Sequence, residues 1–265
     1  MSAPESAAGA ELFSTTEGRI GTIVINRPDK RNAFTRSMWV RLGELIAQLE
    51  ADAEVKVIVL RSSDSRAFSA GADIIEFRQV RTDELAARDY DEVVRKTEST
   101  LAGCAKPTIA MICGFCVGGG CELAVACDFR FAAAGSTFGI TPANLGIVYS
   151  LGATKRLVDL VGPANAKLML MSAQLFDGER ALRMGLVTVL CSTSELERAT
   201  YEFAGLLASK AQLTVQGAKR IVGMILDGAV TDGDESIALQ REAYASDDYR
   251  EGVEAFTARR KPSFS

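Results

Sequence analysis

Between Lys106 and Glu122 lie fifteen consecutive residues without a charge, "PTIAMICGFCVGGGC", and the chain then runs on through "ELAVACD" with Glu122 alone among apolar neighbours. Such a stretch has to be buried, so it marks the centre of the fold. Residues 108–114, "TIAMICG", have the pattern of a covered strand, and Gly119 to about Ala126 predicts a helix. The three glycines at 118–120 let the backbone approach a ligand closely and aim unpaired N–H groups at it.

The flanking sequence supplies the rest of an alternating pattern. "IGTIVIN" (20–26) and "VKVIVLR" (55–61) read as strands, with Met38, Leu42, Leu45, Ile46 and Leu49 at helical spacing between them. A polar helical stretch follows over 82–103, and a further strand at 129–134. This predicts an α/β core with mostly buried strands. After Ser150 the chain turns helical, with Pro163 placed like a first-turn proline and another helical piece at "GERALRMG". Beyond about Ala211 nearly everything reads as helix, broken at Gly228 and Gly233, and the last piece carries Tyr249, Val253 and Phe256 on one side. The expected organisation is a disordered tail at 1–11, a core at 12–210 and a helical region at 211–265, the last being either an oligomerisation device or a helix packed on its own core.

Several chemistries are excluded by composition. With 30 basic against 34 acidic residues, a formal charge of −4 and no long basic run, the chain lacks the footprint of a nucleic-acid binder. The N-terminus has no basic, apolar secretory pattern and no uncharged run is long enough to span a bilayer, so the expected location is the cytoplasm, with no membrane partner. Six cysteines, four of them at 113, 116, 121 and 127, are expected to be buried thiols. Cys113 and Cys116 form C-x-x-C, but without any histidine or a second well-spaced pair no metal site is expected. The absence of histidine also removes Ser-His-Asp and Cys-His nucleophile systems. Acid and base work falls to carboxylates, Tyr, Lys or Cys.

A second small-residue turn occurs at "FSAGADI" (68–74). Two N–H donors from separate turns, converging on one oxygen, would form an oxyanion hole. Tight packing is the alternative for each turn alone. A phosphate cradle fits less well, because neither a P-loop Lys-Ser/Thr nor G-x-G-x-x-G is present.

Taken with "NRPDKRNAF" (26–34), "KPTIAMICGFCVGGGCELAVACDFRFAA" and "EGVEAFTARRKPSF", these stretches make the chain resemble the crotonase (enoyl-CoA hydratase/isomerase) superfamily over nearly its whole length. The resemblance implies a spiral of ββα turns with a C-terminal α-helical region that assembles a homotrimer or a dimer of trimers. It implies an acyl-CoA thioester as substrate, its carbonyl oxygen held by the backbone N–H groups of Ala72 and Gly119, with no cofactor beyond the coenzyme A of the substrate itself. Glu122 matches the first of two catalytic glutamates of the hydratases. The second would lie in a stretch like "FGxPE", where "FGITPANLGIVYS" (138–150) has Pro142 instead, so the pair is incomplete unless a remote residue substitutes.

That segment and the C-terminus look closest to the methylmalonyl-CoA decarboxylase branch, in which a pocket tyrosine matches Tyr149. Against this, the branch's decarboxylase has a histidine in the oxyanion-hole turn where this chain has Ala72. The leading expectation is therefore an enoyl-CoA hydratase/isomerase with Glu122 as single catalytic carboxylate. Decarboxylation is the alternative, and a non-catalytic acyl-CoA-binding protein the alternative of another class. By family position the backbone of Ala70, Ala72 and Ile74 meets the adenine end of CoA. Lys30 and Arg31 are candidates for its phosphates, or else solvated charges. Phe256 and Arg259, the latter in place of the more usual lysine, match positions that reach CoA from a neighbouring subunit. Gly118, Thr141 and Asp73 complete the candidate substrate-binding set; Asp128 offers itself as a second acid, but a structural cap or turn role is preferred for it, and Asp73 has the same structural reading beside it.

Overall fold

A computed structural model describes residues 9–264. Strands Leu12–Glu17 (β1) and Ile20–Ile25 (β2) form an antiparallel hairpin, and Arg36–Ala51 (α1) follows, its first turn capped by the Thr35 hydroxyl accepting from the Met38 N–H. Three rungs of one repeating design come next. The first is Val57–Ser62 (β3), Ala67–Ser69 (β4) and the helices Ile74–Val80 (α2) and Glu84–Gly103 (α3). The second is Thr108–Ile112 (β5), Phe115–Val117 (β6) and Gly119–Ala126 (α4). The third is Phe129–Ala133 (β7), Thr137–Gly139 (β8) and Leu151–Ser172 (α5). Phe176–Asp177 (β9), Gly178–Arg183 (α6), Val189–Cys191 (β10) and Thr193–Ala208 (α7) close the core, and Gln212–Leu226 (α8), Asp234–Ala245 (α9) and Asp247–Thr257 (α10) form the C-terminal helices.

In each rung the first strand joins one sheet and the second joins another. The larger sheet runs β1-β2-β3-β5-β7-β10, parallel from β2 onward, and the smaller runs β4-β6-β8-β9. The chain therefore winds as a spiral of ββα turns. Side-chain alternation sorts the two faces of the larger sheet: Val57, Val59, Ile109, Met111, Phe131 and Ala133 pack against Leu196, Ala204 and Ala208 of α7, while Ile58, Leu60, Ala110, Ile112 and Ala132 join the main core. Burial on both faces explains why these strands read as continuous apolar runs.

The helix expected from Gly119 to Ala126 and the strands expected near 20, 55, 108 and 129 are present within a residue or two. Pro163 opens a helical segment after a kink at Gly162 (φ 75°) inside α5. Strand β1 and the smaller sheet carry no strong sequence signal, since β4, β6 and β8 are three residues each and β9 two. The tail expected at 1–11 lies outside the described residues as far as residue 8; its last residues are tied to the core, with the Asn26 side chain donating to Ala10 O and Glu11 pairing with Arg27 at 2.8 Å. Among the described residues no helix is long and apolar enough to cross a membrane.

Candidate active site

The turn after β4 is held in place by the loop that the sequence singles out at 26–34. Arg31 and Asn32 both adopt left-handed backbone (φ 50° and 56°). The buried Asn32 side chain accepts from the Arg27 N–H and donates to Ala67 O at 2.7 Å. Phe34 N–H then donates to Gly71 O, Asp73 N–H to Phe34 O, and Ala70 N–H to Arg31 O. Ala72 is thus clamped on both sides, while no turn, cap or side-chain acceptor among the described residues takes its own N–H.

A second amide without a partner among the described residues is brought to the same place by α4. Gly118 caps that helix with φ 57° and ψ −129°, a conformation open to glycine, and Gly119 is its first residue, whose N–H has no partner within a helix. The two turns approach so closely that a Cβ on Gly71 (φ +90°) would lie 2.8 Å from the Gly119 nitrogen and 2.9 Å from Val117 O. A Cβ on Gly119 would in turn meet Trp39 at 3.1 Å and the Ala72 nitrogen at 3.6 Å. The amides of Ala72 and Gly119 therefore flank one spot.

That spot opens on a cavity of about 200 Å³ whose walls include Ala70, Ala72, Ile74, Gly118, Gly119, Glu122, Thr141, Pro142 and Tyr149. Trp39 and Tyr90 close one side, the indole N–H donating to the Tyr90 hydroxyl at 3.2 Å. Glu122 is the only charged residue of α4 and reaches the cavity wall beside Tyr149. It faces the cavity instead of capping its helix into water.

The cavity also holds what the sequence pattern did not reveal. Glu98, from α3, is 1% exposed and lines the same cavity as its neighbour Glu122. Its Oε2 accepts from Arg156 Nη2 of α5 at 2.7 Å, while its buried Oε1 and the Arg156 Nε have no partner among the described residues. Burial, then the neighbouring Glu98 charge, pushes the Glu122 carboxyl well above the usual carboxylate range. A helix N-terminus favours a carboxylate by about 0.3–1 kcal/mol, much less than the several kcal/mol that burial costs, so burial prevails. Glu98 itself is raised to about 7 by burial, with Arg156 opposing. The Tyr149 hydroxyl is pushed up by burial and by Glu122, so it is a neutral donor. One signal for Glu98 was available: it shares the buried face of α3 with Tyr90, Thr97 and Leu101 at helical spacing.

The other candidates fall outside this cavity. The Asp73 carboxylate accepts from the Ile75 N–H and from Arg27 at 2.8 Å, so capping is what it does here. Asp128 accepts from Thr108 and from Lys219 Nζ at 2.7 Å, joining β5 to α8. Lys30 and Arg31 are exposed on the turn after β2, Arg31 over the Phe115 ring. Phe256 and Arg259 are exposed at the end of α10, away from the cavity of their own chain. All six cysteines are free thiols; Cys116 is buried with its Sγ on Gly120 O at 3.5 Å.

Comparison with known proteins gives one answer. The family model described as enoyl-CoA hydratase/isomerase matches residues 15–265. A crotonyl-CoA hydratase of Syntrophomonas wolfei is 34% identical over 252 residues, covering 94% of this chain and 95% of that protein. A peroxisomal Δ3,5-Δ2,4-dienoyl-CoA isomerase of Arabidopsis thaliana is 32% identical over 266 residues, covering 96% and 95%. Among solved structures, an enoyl-CoA hydratase/isomerase family protein from Hyphomonas neptunium superposes with a TM-score of 0.94 at 34% identity, covering 97% of this chain and 98% of that one.

Proposed function

The chain belongs to the enoyl-CoA hydratase/isomerase family, and from that premise we propose that it moves a proton at the acyl chain of an enoyl-CoA thioester through an enolate. The observation that carries this reading is the convergence on one cavity of the Glu122 carboxyl with the amides of Ala72 and Gly119, which have no partner among the described residues. A thioester oxygen seated between the amides gains negative charge as the enolate forms. Donors fixed in advance stabilise that charge by about 3–4 kcal/mol each, and the gain is largest in the transition state. Glu122 then exchanges the proton with the acyl carbon, beside the Tyr149 hydroxyl on the same cavity wall.

Coenzyme A enters as part of the substrate. In this reading its adenine end runs along the backbone of Ala70, Ala72 and Ile74, with Gly118 and Thr141 nearer the thioester and Lys30 and Arg31 towards the phosphates. A homotrimer or dimer of trimers would bring Phe256 and Arg259 to a neighbour's CoA. The half-exposed Tyr249 and Val253 and the largely exposed Phe256 of α10 support such a role for that helix.

The test is product analysis by mass spectrometry in deuterated water with crotonyl-CoA, a 3-enoyl-CoA and methylmalonyl-CoA. Gain of water, or a shifted double bond with deuterium uptake, is the expected result. Loss of carbon dioxide from methylmalonyl-CoA alone would replace this reading with decarboxylation, and tight acyl-CoA binding without product would replace it with a binding protein.

A further inference from the structure

A carboxyl group that is pushed towards its protonated form is a poor base, yet Glu122 is the proton-exchanging group of the proposed reaction. The structure supplies what Glu122 lacks alone. Two neighbouring carboxyl groups on one largely buried cavity cannot both be ionised without large repulsion, and neither can donate unless one holds a proton. Among the described residues the buried Glu98 Oε1 receives no N–H or hydroxyl donor, and the carboxyl of Glu122 is its neighbour in the cavity. On its other oxygen Glu98 receives the Arg156 guanidinium at 2.7 Å, so the ionised member of the pair is the one next to the cation.

Taking Glu122 as the group that exchanges the substrate proton, we propose that Glu98, held by Arg156, shares one proton with it and serves as the proton reservoir of the site, the role left open where Pro142 offers no ionisable group. Glu98 is almost wholly buried and acts through Glu122, so it is a positioning residue. In isomerisation the substrate proton passes to Glu122 as the resident proton moves to Glu98. The two protons exchange places within the pair, and one of them, a deuteron when the pair has equilibrated with deuterated water, is delivered to the new carbon while the other stays. In hydration the pair gives its proton to the α-carbon and takes one from the water whose oxygen bonds to the β-carbon. In each case the pair holds one proton before and after the cycle.

The ionisable groups around the pair come from every packed element: Tyr90, Asp91 and Arg95 on α3, Arg81 after α2, Cys121 on α4, Arg156 on α5, and Tyr149 from the loop before it. Arg81 is already occupied, ion-paired with Asp91 and stacked over Phe77 and Tyr90. Arg95 pairs with Glu92, so among the described residues Arg156 is the cation that touches the pair.

The test is carboxyl titration by infrared difference spectroscopy on the full-length protein, which requires no turnover, together with the pH profile of kcat/KM on whichever enoyl-CoA is consumed. Wild type should show a carboxyl titrating near neutral pH. Glu98→Gln should lower the Glu122 midpoint by at least one pH unit and move the pH profile with it, and Glu98→Asp should restore part of the shift. Arg156→Lys, which keeps the charge, covers the case in which Glu98→Gln fails to fold, and should displace the same midpoint. An unmoved titration and profile in folded Glu98→Gln would overturn the proposal, even with the enoyl-CoA activity intact. A moved titration in a protein without enoyl-CoA turnover would sustain the shared proton while removing the proposed reaction.

Discussion

Arg156 of α5 donates to Glu98 of α3 across the packed faces of their helices, with the Glu98 side chain only 2% exposed and that of Arg156 22%. Removing one partner of such a pair strands the other. Arg156→Met should cost about 3 kcal/mol of unfolding free energy at pH 8. The loss should be smaller at pH 5, where Glu98 is protonated and neutral. Urea unfolding at the two pH values decides it, and equal losses would contradict a charged Glu98.

The same pair gives wild type a pH signature. A carboxyl raised in the folded state to about 7, against about 4.3 when unfolded, holds its proton through a window in which the unfolded chain has released it. The stability it contributes is complete below the unfolded value and is lost as pH rises through the folded one. Stability should therefore fall between about pH 4.5 and 7, and Glu98→Gln should flatten that slope.

Gly71 tests the closeness of the two turns. At φ +90° an alanine is strained, and its Cβ would press on the Gly119 nitrogen and on Val117 O. Gly71→Ala should lose about 1–3 kcal/mol of stability from backbone strain. It should also lower kcat by at least tenfold by spreading the two amides. A variant with unchanged kcat would remove these amides from the reaction.

Asp73 separates capping from ligand binding. Burial raises its pKa, but the Arg27 and Ile75 hydrogen bonds outweigh burial and hold it below the usual range. Asp73→Asn should cost about 1–2 kcal/mol at pH 7. A depressed carboxyl contributes stability above its unfolded pKa, near 3.9, and loses it as pH falls through the folded value. The difference from wild type should thus vanish in acid. A raised KM for acyl-CoA with unchanged stability would reverse the assignment.

How far the sequence is legible depends on the range of its signals. Apolar runs such as 108–112 and the spacing of Met38, Leu42 and Leu45 are local, and they position strands and helices well. The stitching of Asn32 to Ala67 and of Phe34 to Gly71 is non-local, so the pairing of the two turns is legible through family resemblance and not through pattern. Glu98 lies 24 positions before Glu122, in a helix whose polar composition hides its one buried carboxyl. Only the packing of α3 against α4 and α5 brings the two together. The three-residue strands of the smaller sheet are invisible for a related reason: their partners lie a full rung away.

The most direct measurement is deuterium incorporation into the acyl chain of an enoyl-CoA, followed by mass spectrometry in deuterated water for wild type and Glu122→Gln at matched folding and binding. Wild type should take up deuterium, and the variant should show a fall of about 10²–10⁴-fold, the range of a lost acid–base group. Uptake at an unchanged rate in Glu122→Gln would contradict this role for Glu122.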